Sequence, residues 1–265
     1  MSKRIDVKNL KVVYSVHGKP FTALDGVSFS VEPGEFVSVI GASGCGKSTL
    51  LSVLEGLLSP TDGFVAVDGQ QVEGPGPERS VVFQQYSLFP WMTAIGNVEF
   101  ALAQAQPNLK RKERRLLAGD YLKKVALGGF ENRYPKELSG GQQQRVAIAR
   151  ALAEDGEILL MDEPFGAIDA RNRAVLQDLL LELWEGESGS SRKTVVFVTH
   201  DLEEAILLSD RIIMMEPGCI HADFKVPLPR PRQRLQLLQD PAYVEFRGQL
   251  AQIFFENEYQ EVHSA

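Results

Sequence analysis

The sequence predicts an α/β fold, in which helices cover both faces of a parallel sheet. Short apolar segments of strand length recur along the chain and alternate with helical patterns, which is typical of parallel sheets. The 265 residues are 44% hydrophobic and 24% charged, enough for one large domain or two small ones with a substantial core. The stretch from about 97 to 153 has helical patterns and no convincing strand. We therefore expect it to be a helical insertion into the sheet.

Each element follows from its apolar pattern and from the turn residues beside it. A Pro-Gly turn at 33–34 precedes the short, mostly apolar segment 36–40, as expected for a buried strand. Leucines at helical spacing predict a helix from 47 to 58, which Pro60 would end. The other predicted strands lie near residues 5–10, 12–14, 64–67, 80–83, 158–161, 195–198 and 212–215. The other predicted helices span about 143–153, 171–184 and 202–208.

The last part of the chain is predicted to be peripheral. A proline-rich segment at 227–231 indicates a boundary. The arginines at its end, Arg230, Arg232 and Arg234, indicate an exposed linker. The tail from about Gln233 is expected to be helical.

Charge and cysteine content argue against several classes of protein. The net charge of −7 and the pI near 5.3 oppose nucleic acid as the main partner, because phosphates favour basic surfaces. Two cysteines cannot form a disulfide framework, which favours a reducing compartment. The first residues lack the apolar stretch of a secretory signal. Apolar runs are also far shorter than the ~20 residues of a spanning helix, so any work at a membrane would go through a partner.

Residues 41–48, Gly-Ala-Ser-Gly-Cys-Gly-Lys-Ser, match the pattern of a phosphate-binding loop. The loop follows a predicted buried strand and opens a predicted helix, which is the context that phosphate binding needs. Glycines let backbone N–H groups wrap around an anion, and the helix N-terminus adds partial positive charge. Lys47 would reach the β- and γ-phosphates, and the Ser48 hydroxyl would bind Mg²⁺. The expected nucleotide-binding residues here are Gly41, Ser43, Gly44, Cys45, Gly46, Lys47, Ser48 and Thr49.

An apolar strand at 158–161 ends in two carboxylates, Asp162 and Glu163. An aspartate delivered by a hydrophobic strand is the second half of such a site and would complete the Mg²⁺ shell. Glu163 could accept a proton from an attacking water. Without the phosphate loop upstream, these residues would be ordinary strand-end carboxylates.

A second glycine-containing segment, 138–142 with the sequence Leu-Ser-Gly-Gly-Gln, precedes the predicted helix 143–153. Ser139 is a good N-cap, and the glycines permit close approach of the backbone. This helix N-terminus also suits a phosphate, although alone it could be an ordinary capped helix.

Together these segments resemble the ATP-binding subunits of ABC transporters over about residues 5–227. Residues 138–142 are identical to the signature sequence of that family. The family has a P-loop NTPase (RecA-like) core, an N-terminal antiparallel β subdomain and an inserted helical subdomain. The resemblance implies an ATPase domain at 1–228, with the helical subdomain at about 86–154, and a C-terminal helical tail at 229–265.

Further motifs fall in the order of the family. Gln84 matches the glutamine of the Q-loop, Asp169 matches the aspartate of the D-loop, and His200 matches the switch histidine. Tyr14 is identified with the aromatic residue that stacks on adenine, and Phe21 is the alternative.

The resemblance implies ATP and Mg²⁺ as cofactors and a head-to-tail dimer, expected to be a homodimer. The phosphate loop of one subunit would hold ATP that the other subunit closes with Ser139, Gly140, Gly141 and Gln142, and Asp169 would also contribute to nucleotide binding. The expected Mg²⁺ ligands are Ser48, Gln84 and Asp162. The expected catalytic residues are Lys47, Gln84, Glu163 and His200.

The resemblance also implies partners and a place in the cell. The segments 74–79, 81–84, 88–91 and 165–166 are similar to importers of the nitrate, sulfonate and taurine type. Such a subunit would bind transmembrane permease subunits at the cytoplasmic face of the inner membrane and would serve a solute-binding protein indirectly. Two alternatives are a non-transport ABC ATPase acting on nucleic acid or the ribosome and an ATP-binding regulator without turnover. The acidic charge opposes the first, and the presence of both Glu163 and His200 opposes the second.

Overall fold

The structure, a computed structural model, describes residues 2–166, 168–185 and 192–263. The strands are β1 (Ile5–Val16), β2 (Lys19–Val31), β3 (Phe36–Gly41), β4 (Asp62–Val67), β5 (Gln70–Gln71), β6 (Arg79–Val82), β7 (Ile158–Asp162), β8 (Thr194–Val198), β9 (Arg211–Glu216) and β10 (Cys219–Lys225). The helices are α1 (Lys47–Glu55), α2 (Ala94–Ala105), α3 (Arg111–Lys124), α4 (Gly140–Glu154), α5 (Ala170–Glu185), α6 (Leu202–Leu208), α7 (Arg234–Leu237) and α8 (Pro241–His263), with a 3₁₀ turn at Pro135–Glu137.

The chain forms two compact units. The sheet unit contains residues 3–74 and the residues from 194 onward, and the helical unit contains residues 75–193. Among the described residues, no helix is both long enough and apolar enough to cross a membrane.

The strands of the sheet unit form two sheets. One is antiparallel in the order β2-β1-β4-β5, and the other has the order β10-β9-β3-β8. The buried strand β3 pairs in parallel with β8 and β9, so that Val39 is opposite Val198 on one side and Ile213 on the other. Strand β10 pairs antiparallel with β9 and is the edge strand of this sheet. The α/β prediction with a parallel sheet is therefore confirmed.

The helical unit holds β6 and β7 together with α2 to α5. These two strands pair in parallel, with Val82 opposite Met161. Buried apolar side chains from α2, α3 and α4 form its core, and among them Val98, Leu102, Leu122 and Ala147 are 0% exposed.

Two expectations from the sequence are corrected, and the structure adds strands β2, β5 and β10, which were not predicted. Helix α1 ends at Glu55 rather than near residue 58, because Gly56 adopts a left-handed conformation (φ 79°) and its N–H closes the helix on earlier carbonyls. Strand β10 was not predicted, although its apolar residues Ile220, Ala222 and Phe224 alternate with polar residues and are half-buried, as in a strand with one face covered. The exposed linker predicted for Arg230 and Arg232 is wrong: Arg232 is buried, and the side chain of Arg230 is only 11% exposed.

A buried asparagine ties the loop after β6 to α2 in the helical unit. The Asn97 side chain is fully buried, and its Oδ1 accepts from the Phe89 N–H at 2.8 Å. Its Nδ2 donates to the carbonyls of Phe89, Met92 and Thr93 at 3.0–3.3 Å. One amide therefore pairs the Phe89 N–H and the Met92 carbonyl, and it adds a second donor to the Phe89 and Thr93 carbonyls, which already accept from the N–H groups of Met92 and Asn97.

We predict that Asn97→Ala lowers the free energy of unfolding by about 2–3 kcal/mol, because buried backbone groups lose their partner. Denaturant titration followed by circular dichroism measures this change. Gln104→Ala, an exposed position on the same helix, is the control and should change stability by less than about 0.5 kcal/mol. Equal effects of the two substitutions would contradict this account of Asn97.

Candidate functional site

The phosphate loop lies in the sheet unit, between the end of β3 and the start of α1. Gly46 is the N-cap of α1 and has φ 112°. A Cβ on Gly46 would lie 2.7 Å from the Ala23 carbonyl, and one on Gly41 would lie 2.5 Å from the Met215 carbonyl and 2.7 Å from Cys45 Sγ. The loop therefore requires glycine at both positions, and its backbone forms a close cradle at the start of a helix.

Lys47 is held by its own loop. Its side chain is buried, and Nζ donates to the carbonyls of Gly41 and Ala42, both at 2.8 Å. The ammonium group is thus kept against the backbone of the loop, where phosphate oxygens could replace these carbonyls as its acceptors.

The two aromatic residues considered for adenine stacking are neighbours. Tyr14 on β1 pairs directly with Phe21 on β2. Their side chains are 37% and 54% exposed, and the Tyr14 hydroxyl lies 3.3 Å from Thr49 Oγ1 on α1. Residues directly opposite each other in an antiparallel pair share a face, so both rings belong to one exposed aromatic surface near the phosphate loop.

His200 follows β8, which is paired in parallel with β3. The Thr199 N–H donates to the Val39 carbonyl at 3.2 Å, so the chain after β8 leaves the sheet at the same edge as the phosphate loop. Thr199 is buried, whereas His200 is exposed. The parallel register thus brings the loop and the histidine to one end of the sheet unit.

Gln84, Asp162 and Glu163 occupy the equivalent edge of the helical unit. Gln84 follows β6 and the carboxylates end β7, so parallel pairing of these strands brings the three side chains to one place. Gln84 Nε2 donates to Glu163 Oε2 at 3.4 Å. Glu163 has φ 44°, a left-handed conformation that is rare for a residue with a side chain and is concentrated at functional sites.

Ser139 caps α4 as the sequence predicts. Its Oγ accepts from the Gln142 N–H at 3.3 Å, and Gln142 Oε1 accepts from the Ser139 N–H at 2.9 Å, a capping box. This helix end lines a cavity of about 450 Å³ that Asp169 also lines. The predicted residues Ser139, Gly140, Gly141, Gln142 and Asp169 therefore share one cavity of the helical unit.

Two further residues that line this cavity, Arg145 and Asn172, were not singled out from the sequence, and they join α4 to Asp169 by hydrogen bonds. The buried Arg145 of α4 donates to Asn172 Oδ1 of α5, and Asn172 Nδ2 donates to Asp169 Oδ2 at 2.6 Å. The hydrogen bonds from Asn172 are the main reason why the pKa of Asp169 lies below its ordinary value. The only signal in the sequence was that Arg145 lies six residues after Ser139, on the predicted helix that follows it. That spacing does not show that Asn172 of α5 is the hydrogen-bond partner of Arg145.

Comparison with known proteins agrees with these features. Residues 24–166 match the model of the ABC transporter family. The chain is 46% identical over 231 residues to the nitrate import ATP-binding protein NrtD of Synechococcus elongatus, covering 86% of this chain and 83% of NrtD. It is 44% identical to the bicarbonate transport ATP-binding protein CmpC of the same species, over 99% of this chain. It spans only 39% of the length of CmpC.

A solved structure has the same architecture. The ATP-binding cassette MJ0796, in a dimeric post-hydrolysis state bound to ADP and Pi, aligns with a TM-score of 0.77 and 37% identity. The alignment covers 85% of this chain and all of that chain.

The two thiols lie in opposite environments. Cys219 is exposed, whereas Cys45 in the phosphate loop is 1% exposed. Burial raises the pKa of the Cys45 thiol, and the nearby Lys47 only partly opposes that shift. A raised pKa means less thiolate at a given pH, and the thiolate is the reactive form.

We predict that iodoacetamide at pH 7.5 alkylates Cys219 at least about tenfold faster than Cys45, because Cys45 is less accessible and less ionised. Mass spectrometry of peptides at timed intervals measures both rates. The Cys45 rate should rise as the pH increases from 7 to 9. In denaturant the two rates should converge, which is the control, and faster labelling of Cys45 in the folded protein would contradict the described burial.

Proposed function

The chain belongs to the ABC transporter family, and from this premise we propose that it is the ATP-hydrolysing subunit of an importer for a small anion. The chain is an ATPase of this family. The observation that supports the anion is its similarity, over most of its length, to relatives named for nitrate import and bicarbonate transport. The transported solute we propose is nitrate, bicarbonate or a sulfonate such as taurine. Because these relatives are named for transport, a non-transport role on nucleic acid or the ribosome is not favoured.

ATP binding is assigned to the phosphate loop and to the aromatic surface beside it. Backbone N–H groups of 41–49 would surround the β- and γ-phosphates, and Lys47 would exchange its loop carbonyls for phosphate oxygens. Tyr14 and Phe21 would offer the exposed face on which adenine stacks. The glycine cradle supports this assignment, because a Cβ at Gly41 or Gly46 would fill the space that the loop needs.

The residues proposed for Mg²⁺ fit that ion by their chemistry. Ser48, Gln84 and Asp162 offer a hydroxyl, an amide oxygen and a carboxylate, and hard oxygen ligands of this kind are what Mg²⁺ prefers. The ion, when bound, would neutralise negative charge that develops on the phosphates.

Glu163 and His200 are proposed to act on the reacting groups. Water is a poor nucleophile, so an oriented carboxylate that accepts its proton lowers the barrier. Glu163 Oε2 accepts a long hydrogen bond from Gln84 at 3.4 Å, and the exposed His200 would contact the γ-phosphate. Hydrolysis then follows from positioning and electrostatic stabilisation.

The capped helix α4 is proposed to complete the site of a second subunit. Its N-terminal segment, Ser139–Gln142, would close on ATP bound by the phosphate loop of the partner in a head-to-tail homodimer, with Asp169 at the same interface. Closing and reopening of the dimer would drive permease subunits at the cytoplasmic face of the cell membrane. A solute-binding protein would supply the anion to the permease.

Reconstitution tests the function directly. The chain is tagged, purified together with its permease and reconstituted into proteoliposomes. ATP is supplied on the side of the membrane that carries the ATPase subunit. Uptake of labelled nitrate, bicarbonate or taurine that requires ATP and the solute-binding protein is expected. Uptake of none of these, but of a cation or a peptide, would overturn the anion assignment and leave the ATPase assignment intact.

We predict that Glu163→Gln lowers kcat for ATP hydrolysis by ~10²-fold or more, because it removes the proton acceptor and keeps the size of the side chain. ATP should still bind, and the closed dimer should accumulate. Phosphate release and gel filtration measure turnover and dimer fraction on the same sample. Glu182→Gln, at an exposed position of α5, is the control and should behave as wild type. Near wild-type turnover of Glu163→Gln would transfer the base role to His200.

We predict that turnover needs residues from two subunits. Lys47→Ala and Ser139→Arg should each abolish turnover in a pure dimer, whereas a mixed dimer keeps one intact composite site. An equimolar mixture should therefore recover up to about a quarter of wild-type activity, since half of the dimers are mixed and each has one of two sites. Native mass spectrometry verifies that mixed dimers form. A mixture that contains mixed dimers but has no more activity than its parents would contradict the composite site.

A further inference from the structure

The arginines of the proline-rich segment contact the end of a helix in the sheet unit. Arg232 is 7% exposed, and its Nη1 donates to the carbonyls of Ile206 at 2.8 Å, Leu207 at 3.4 Å and Ser209. Its Nη2 donates to the Leu228 carbonyl at 3.0 Å. A buried guanidinium that pairs four backbone carbonyls is a specific structural contact, not a surface charge.

Arg230 extends this contact to the sheet. Its Nη2 donates to the Leu208 carbonyl at 2.6 Å, and its Nε pairs with Asp210 Oδ1 at 2.7 Å. The other oxygen of Asp210 accepts from the N–H of Phe36, the first residue of β3, at 3.0 Å. We call Arg230 and Arg232 the tail clamp.

The tail clamp binds the C-terminal end of α6. The last carbonyls of a helix have no partner within the helix and carry partial negative charge, which a guanidinium neutralises. Helix α6 has seven residues, far too few to be stable alone, so tertiary contacts, both of its buried residues and at its ends, decide its position. The tail clamp supplies those contacts at one end.

The other end of α6 carries His200. The Asp201 side chain accepts from the N–H groups of Glu203 at 2.8 Å and Glu204 at 3.2 Å. Thr199 Oγ1 donates to Glu204 Oε2 at 2.7 Å and accepts from the Asp201 N–H at 3.0 Å. Residues 199–201, which we call the switch turn, are thus joined to the first turn of α6 by hydrogen bonds on both sides of His200.

We infer that the tail clamp positions His200 for ATP hydrolysis by fixing α6 and, through it, the switch turn. The inference rests on the proposed function, from which it takes the role of His200. A seven-residue helix is about 10 Å long and transmits a displacement of one end to the other. Arg230 and Arg232 are therefore positioning residues, and the C-terminal segment has a part in turnover. A displacement of ~1 Å at a reacting group can cost 10²-fold in rate, so loss of the clamp affects kcat.

Arg232→Met tests this inference, because it keeps the length of the side chain and removes its donors. The expected result is a fall in kcat of about tenfold with KM for ATP within about twofold, because the phosphate loop and the aromatic surface are unchanged. Arg232→Lys should restore at least half of the lost activity, since an ammonium can still donate to these carbonyls. Arg247→Met is the matched control: Arg247 pairs with Glu203 of the same helix at 3.0 Å, but both side chains are 50% exposed, and turnover should not change.

A spectroscopic readout separates positioning from stability. The chain has four histidines, so the ¹³C-labelled imidazole signal of His200 can be assigned by its loss in His200→Ala. Arg232→Met should shift or broaden this signal, and Arg247→Met should leave it in place. If Arg232→Met does not fold, Arg230→Gln replaces it, since Arg230 is less enclosed and loses fewer contacts.

The outcomes distinguish the inference from the proposed function. Reduced kcat with a displaced His200 signal supports the tail clamp, and so does the absence of further loss when Arg232→Met is combined with His200→Ala. Unchanged kcat, or reduced kcat with an unmoved His200 signal, overturns it. Wild-type turnover in His200→Ala alone overturns the proposed role of His200, and the His200 signal in Arg232→Met then still decides whether the clamp holds the switch turn.

Discussion

Parallel pairing of buried strands is the constraint on which the functional groups depend. All six residues of β3 are buried, so its polar backbone groups must pair with β8 and β9, and its side chains must be almost entirely apolar. Polar side chains that could bind a ligand or act in catalysis can therefore lie only where the strands end. In the sheet unit, this edge carries the phosphate loop and His200, and in the helical unit the ends of β6 and β7 carry Gln84 and Glu163.

Helix ends supply the second level of organisation. Glycine at the start of α1 allows a close backbone cradle, a serine capping box orders the start of α4, and arginines from the tail pair the end of α6. At each end, unpaired backbone groups are either satisfied by the protein or kept ready for a ligand. The same unpaired backbone groups at helix ends thus either stabilise the fold or are available to bind a ligand.

Several side chains of the proposed ATP site are held by partners that are themselves fixed. Lys47 rests on the carbonyls of its own loop, and Asp169 accepts from Asn172, which in turn accepts from the buried Arg145. Glu163 keeps a left-handed backbone conformation that only its surroundings can maintain. Such preorganisation reduces the rearrangement needed when a nucleotide binds, and pre-placed groups are what phosphoryl transfer requires.

By itself, the sequence determined the α/β class, the order of most elements, the phosphate loop, the strand-end carboxylates and the cap at Ser139, because these depend on neighbours within a few residues. It did not predict the partnership of Arg145 with Asn172, and β10 was missed although Ile220, Ala222 and Phe224 alternate with polar residues there. It wrongly placed Arg230 and Arg232 in an exposed linker, because most of their partners, at residues 206–210, lie twenty or more residues earlier in the chain. Only the tertiary structure decided the partners of these arginines, because the burial of a charged side chain depends on which distant polar groups the fold brings to it.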